Sequence, residues 1–309
     1  MQDHALSVSG LTKTYPGGFQ ALQGVDFHVR AGEFCALLGP NGAGKSTTIN
    51  IITTLLPASA GEVKIFGHDI RTQASEAKRL VGLVPQEFNF NMFEKIIDIL
   101  LVQAAYYGIK RSQAKKNAEM YLKKLGLWQK RHQRARTLSG GMKRRLMIVR
   151  ALIHHPKLLI LDEPTAGVDI ELRRSMWQFL KDINEKEKIT IILTTHYLEE
   201  AEKLCKQIII INQGKIIRNT DKKNLLQSLD VEYFIVVLSK PLNVAPELQG
   251  YITDVDHDGN LEIGVKVGQN LNRAFEQLSD LGVEVMSLSN KHNRLEELFL
   301  QYTATAEEE

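Results

Sequence analysis

The apolar positions of this chain fall into two rhythms. Residues 20–30 alternate loosely between apolar and polar, and residues 32–38 form a short apolar run, Gly-Glu-Phe-Cys-Ala-Leu-Leu, that stops at Gly39. A glycine-rich turn follows, then helical spacing over 45–56, so the pattern predicts strand, loop and helix in succession. Further on, apolar residues recur at helical intervals, as at Ile96, Ile97, Leu100 and Leu101 and again at Met120, Tyr121 and Leu125, predicting a mostly helical insertion over 88–156. Two buried-looking runs, 157–161 and 189–193, flank a helical stretch at 171–186. Strands that alternate with helices in this way predict an α/β core with parallel elements.

The pattern changes after Gln227. Residues 233–238 read as a strand, Leu261, Ile263, Val265 and Val267 are spaced by two, and Leu271, Phe275, Leu278 and Leu281 return to helical spacing. Val283 and Val285 and a closing helix over 295–302 complete what reads as a small α+β domain, so the chain divides into 1–226 and 227–309. The acidic end at 306–309 is expected to fray. With 309 residues, 43% hydrophobic and 24% charged, the chain can bury a substantial core, which excludes a fibrous or disordered protein. Lys and Arg number 39 against 36 Asp and Glu, a balance of +3 that argues for no particular anionic partner.

Cys35 and Cys205, both in apolar stretches, give no disulfide framework and fit a reducing compartment. The first residues lack the basic head and apolar centre of an export signal, and apolar runs such as that from Ile208 to Ile211 fall far short of the ~20 residues needed to span a membrane. The expectation is a soluble cytoplasmic chain whose membrane role, if it has one, comes through a partner.

Chemistry concentrates at a few points. Gly39-Pro40-Asn41-Gly42-Ala43-Gly44-Lys45-Ser46 fits G-x-x-x-x-G-K-[ST], where glycines let consecutive backbone N–H groups curl around phosphate oxygens. Lys45 would bring a cation to the β- and γ-phosphates, Ser46 a hydroxyl to Mg²⁺, and the following helix its positive end. An apolar strand then ends in Asp162 and Glu163, at the carboxyl edge of a parallel sheet where ligands collect. Asp162 suits the Mg²⁺ shell, and Glu163 suits the alignment or deprotonation of water for attack on a γ-phosphate. Leu138-Ser139-Gly140-Gly141-Met142 precedes a helical stretch at 143–153, making Ser139 an N-cap and leaving glycine N–H groups open. This second anion site lies 100 residues beyond Gly39, and the economical reading is that it closes over a nucleotide held by another copy of the chain.

Taken in order, these motifs resemble those of the ATP-binding subunits of ABC transporters over the first ~225 residues. The resemblance implies a P-loop NTPase core with a helical insertion, ATP and Mg²⁺ as ligands, ATP hydrolysis as the activity, and a head-to-tail homodimer. It implies that Tyr15 stacks on adenine, that Thr47 joins residues 39–46 in nucleotide binding, and that Gln86 senses Mg²⁺ and relays to a membrane subunit. It also implies that Asp169, in Ala166-Gly167-Val168-Asp169, touches the opposite subunit and that His196 contacts the γ-phosphate. Met142 stands where the family commonly has Gln, which removes a side-chain donor, and Ala-Gly-Val stands before Asp169 where Ser-Ala-Leu is commoner. Both variants resemble the exporter branch that works with an ABC-2-type integral membrane permease, and residues 293–299 resemble the small C-terminal domain of such subunits. The implied location is peripheral, on the inner face of the cell membrane.

Three further features are set against these. Eight Lys or Arg and no acid occur from Lys130 to Arg150, read as a field that gathers nucleotide, with a nucleic-acid partner not expected. Asp254, Asp256 and Asp258-Gly259 open like a calcium loop, but Val265 stands where a bidentate Glu belongs, so the stretch reads as a hairpin turn. Phe88, Phe90 and Phe93 are either buried in the insertion or a socket for a cytoplasmic helix of the membrane subunit. The rival class, an ATPase of the same superfamily that acts on nucleic acid or the ribosome, would carry a long coiled coil or a second cassette, and neither is present.

Overall fold

The computed structural model describes residues 4–227, 231–266, 268–291, 295–296, 298–299 and 302. They form two compact units, Met1–Thr220 and Asp221–Glu309. The division falls a few residues before the one read from the sequence, because a short helix at 222–226 groups with the second unit.

The first unit opens with β1 (His4–Thr14) and β2 (Gln20–Arg30), an antiparallel pair. Then come β3 (Phe34–Leu38), α1 (Lys45–Ile52), β4 (Ala60–Ile65), the two-residue β5 (His68–Asp69), α2 (Ala74–Arg79) and β6 (Val81–Val84). The insertion contains α3 (Ile96–Tyr106), α4 (Arg111–Lys124) and α5 (Gly140–Leu152), and the core resumes with β7 (Leu158–Asp162), α6 (Ile170–Glu187), β8 (Thr190–Thr194), α7 (Leu198–Leu204), β9 (Gln207–Asn212) and β10 (Lys215–Asp221). Among the described residues, one sheet runs β2-β1-β4-β5 and the other β10-β9-β3-β8-β7-β6.

Within the second sheet β9, β3, β8, β7 and β6 are parallel, which is why their sequences are unbroken apolar runs rather than alternating ones. Helix α1 sits among the buried residues shared by both sheets: Ile49, Ile51 and Ile52 share one core with Leu6 and Phe27 of the antiparallel sheet and Leu37 and Ile160 of the parallel one. The helix stops at Ile52, short of the predicted 56. Thr53 bonds back through its hydroxyl to the Ile49 carbonyl, Thr54 adopts φ +60°, and the Leu55 and Leu56 N–H groups both turn to the Asn50 carbonyl.

The second unit contains α8 (Lys222–Leu226), β11 (Val231–Leu238), β12 (Ile252–Val255), β13 (Leu261–Lys266), α9 (Leu271–Asp280) and β14 (Val285–Asn290), with the strands in the order β12-β13-β11-β14. Ala274 and Leu278 of α9 share a core with Val236, Leu261 and Ile263. Between β12 and β13 the Asp256 carboxylate accepts from the N–H groups of Asp258 and Asn260, and Gly259 takes φ +79°, so the acidic stretch is a hairpin turn. Val267, much of the closing helix read at 295–302 and the acidic end lie outside the described residues.

Candidate functional site

Parallel pairing brings the carboxyl ends of β3, β6, β7 and β8 to one edge. Leu37 and Asp162 both pair with Thr194, and Val84 pairs with Leu161, so the four strands end at one level. Immediately beyond them stand the turn at 39–44, Pro85 and Gln86, Glu163, and Thr195 and His196.

The glycine turn is shaped by close packing. A Cβ on Gly39 would lie 2.2 Å from the Ile211 carbonyl oxygen, and one on Gly44 would lie 2.7 Å from a Leu22 methyl and 2.9 Å from the Ala21 carbonyl. Gly44 also takes φ +107° as it starts α1, a conformation that side chains strain. Lys45 folds over the turn, its ammonium donating to the carbonyls of Gly39 and Pro40 at 2.7 and 2.9 Å. Burial pushes the Lys45 amine below its usual range, against the opposing pull of Glu163 and Asp162. Asn41, Gly42 and Ser46 are exposed, Ala43 is buried, and the Tyr15 hydroxyl lies 3.3 Å from that of Thr47, placing the ring beside the start of α1.

Asp162 and Glu163 are held differently. Thr194 donates its hydroxyl to Asp162 and accepts from the Glu163 N–H at 3.2 Å, while that N–H also reaches the Thr194 carbonyl at 3.1 Å. These bonds keep Glu163 at φ +48°, a left-handed conformation that a non-glycine residue adopts only when its surroundings impose it. The result is that its carboxylate is bracketed: Gln86 Nε2 donates to Oε2 at 3.0 Å, and His196 Nδ1 lies 3.2 Å from Oε1. Burial raises the Asp162 carboxyl above the ordinary range, and the Glu163 charge adds to this, against the Thr194 bond and the charges of Lys45 and Arg144.

Ser139, Gly140, Gly141 and Asp169 form a second group. Ser139 caps α5 by accepting from the Met142 N–H at 3.3 Å, so the helix begins at Gly140 rather than at 143 and the glycine N–H groups belong to its first turn. Asp169 caps α6 by accepting from the Leu172 N–H at 2.9 Å. A Cβ on Gly141 would lie 2.1 Å from Leu172 Cδ2, so the starts of α5 and α6 are in contact.

The structure bears on two further readings. Four guanidiniums of the basic run are committed locally rather than forming part of a free field. Arg144 donates to the carbonyls of Pro85 and Gln86 at 2.9 and 2.8 Å, Arg145 to Leu125, Arg131 to Trp128, and Arg150 to Asn89. Of the two readings of the phenylalanine cluster, full burial does not hold: Phe88 is 37% and Phe93 67% exposed, and Phe90 is half-buried.

Compared with known proteins, residues 22–166 match the family model described as "ABC transporter". A linearmycin resistance ATP-binding protein of Bacillus subtilis is 35% identical over 306 residues, which cover 96% of this chain and 98% of the relative. This chain belongs to the ABC transporter family. A Nod factor export ATP-binding protein of Paraburkholderia xenovorans is 33% identical, with 98% of each chain covered. A dimeric ATP-binding cassette solved in a post-hydrolysis state with ADP and Pi superposes with a TM-score of 0.64 at 28% identity, over 70% of this chain and 98% of the other.

The protein is thus an ABC ATP-binding subunit and an ATPase; such subunits form dimeric cassettes and work with membrane permease components. Its residues fit a magnesium–nucleotide: an amine pushed down by burial faces a carboxyl pushed up by burial, at the mouth of a turn too tight for side chains. Each group would regain stability beside an opposite charge. Among the described residues no helix is long and apolar enough to cross a membrane. Sequence reasoning missed Thr194, Arg144 as an anchor, and Glu200, an acid in a charged helical stretch that turns out to be completely buried. The aromatic Trp177, spaced as a core residue, was the available hint that a polar partner lay nearby.

Proposed function

We propose that two copies associate head to tail, each ATP lying between residues 39–47 of one and residues 139–141 of the other, and that hydrolysis drives an ABC-2-type permease in the export direction. What carries this reading is the bracketed Glu163, with both carboxylate oxygens engaged by residues from two other strand ends. So oriented, Glu163 accepts the proton of an attacking water, while His196 and Lys45 face the γ-phosphate and Tyr15 the adenine. Magnesium, held by Ser46, Asp162 and Gln86, would neutralise charge that develops on the phosphates. The open N–H groups of Gly140 and Gly141 and the exposed Asp169 serve the partner's nucleotide. The relatives named for resistance and for export support the outward direction.

The chain would sit on the inner face of the membrane through its permease. A cavity of about 670 Å³, lined by Leu55, Lys78, Arg79, Leu83, Tyr106 and Tyr107, and the exposed Phe88 and Phe93 offer apolar seats for a cytoplasmic helix of that partner. Turnover per molecule should rise with protein concentration in the purified subunit, and a constant value down to high dilution would contradict the shared site. Replacing Phe88 and Phe90 together by Ser should abolish co-purification with the permease while ATP affinity is retained; lost ATP binding would instead return those rings to the core.

A further inference from the structure

Glu200 lies on α7, has no exposed surface, and belongs to none of the nucleotide motifs. Its Oε1 accepts from the Trp177 indole N–H at 2.7 Å, and the Thr165 hydroxyl donates to the two carboxylate oxygens at 3.1 and 3.2 Å. The Thr195 hydroxyl lies beside the carboxylate and favours its charged form, while itself accepting from the Tyr197 N–H at 3.0 Å. Thr165 is two residues past Glu163, and Thr195 directly precedes His196. Around this carboxylate Arg173 makes a second link, its guanidinium 4.6 Å from the Tyr197 ring centroid and within 3.5 Å of the Val168 carbonyl.

One buried acid therefore touches the segment that carries Glu163, the segment that carries His196, and the helix that leads away from Asp169. A buried carboxylate is costly unless it is fully bonded, and the Trp177 indole and the Thr165 hydroxyl both donate to this one, with Thr195 beside them. Burial raises its carboxyl above the ordinary range, while the Thr195, Trp177 and Thr165 bonds and Arg173 pull the other way. An apolar side chain would fill the same space without that cost, but it would leave the two segments free to shift against each other.

We propose that Glu200 is a positioning residue for ATP hydrolysis: through Thr165 and Thr195 it holds Glu163 and His196 at the separation at which they meet. The proposal rests on the assignment of those two residues to hydrolysis. Its effect belongs in the rate of the chemical step, because neither segment contains the turn at 39–46 that grips the phosphates.

The test uses the full-length subunit and steady-state ATP hydrolysis with Thr165→Val, Thr165→Ser and Glu163→Gln, singly, and with Thr165→Val combined with Glu163→Gln. Thr165→Val keeps shape and removes the donor, and should lower kcat about tenfold or more with KM within about twofold, as expected for a small misplacement of reacting groups. Thr165→Ser restores the hydroxyl and should recover most of the rate. In the Glu163→Gln background Thr165→Val should cause no further loss, because it acts through the side chain already disabled; a purely structural defect would add. Parental turnover in Glu163→Gln would overturn the catalytic assignment beneath the proposal. A normal Glu163→Gln defect together with parental kcat in Thr165→Val, with failure of Thr165→Ser to rescue, or with additive losses, would overturn the role of Glu200 alone.

Discussion

Arg144 offers the sharpest test of how the insertion controls the catalytic edge. It lies on α5, five residues after the Ser139 cap, and only 5% of its surface is exposed. Its fork spans two successive carbonyls, Pro85 and Gln86, and its guanidinium carbon stands 5.2 Å from the Phe88 ring centroid. Arg144→Met keeps the length and removes both bonds. Each charge-assisted bond contributes about 1.5–3 kcal/mol, but the guanidinium also loses hydration on burial, and its Nε has no partner. The net loss should be about 2 kcal/mol, which for a unit of this size lowers Tm by roughly 4–8 °C. Arg144→Lys, with a point charge that cannot bridge both carbonyls, should recover only part of it.

The functional readout is separate from the stability readout. Gln86 holds Glu163 through a 3.0 Å bond, so releasing the Gln86 backbone loosens that contact. Turnover at saturating ATP should fall about tenfold in Arg144→Met measured well below its Tm, with ATP affinity unchanged. Parental stability and parental turnover in this variant would show that the segment carrying Gln86 is positioned without α5, and the reasoning would fail.

Glu163→Gln should bind ATP normally, turn over at least about a hundredfold more slowly, and accumulate as an ATP-bound dimer in size-exclusion chromatography; rapid turnover would remove it from the chemistry. Gly39→Ala places a methyl 2.2 Å from the backbone oxygen of Ile211 and should destabilise the first unit by about 3 kcal/mol or more in urea unfolding, whereas a loss under 1 kcal/mol would mean the turn is looser than its geometry. His154 is pushed down from 6.5 to about 4, mainly by burial, with His155 adding and the Val81 carbonyl opposing. The unfolded chain takes up its proton first, so stability is fully present above pH 6.5 and is lost as pH falls from there towards 4, by at most about 3 kcal/mol. His154→Phe, which keeps a ring against Tyr107, should flatten that part of the stability profile; an unchanged slope would assign it to other groups.

Much of this could be read in the chain before its folding was known, and the limits have physical causes. The runs at 157–161 and 189–193 gave strands displaced by one residue, because a buried parallel strand needs continuous apolar character and little else produces it. Strand order was not legible: nothing local in residues 34–38 says that β3 lies between β9 and β8, since both neighbours are distant in sequence. The Ser139 cap followed from residue type and position, as local hydrogen bonding does, whereas the Asp169 cap, of the same local kind, was not read from the sequence. Arg144 and Glu200 were hidden because their partners are backbone carbonyls and hydroxyls far along the chain, and a charged residue in a helix ordinarily faces water.

The contact between Gly141 and Leu172 has a mechanical meaning. Gly141 has clearance for no more than a hydrogen atom against the Leu172 methyl, so the beginnings of two long helices meet at this point. The contact is a direct path from the insertion to the segment that carries Asp169. In a pair of copies facing each other, such a contact would synchronise release on both sides of the seam rather than allow either side to let go alone.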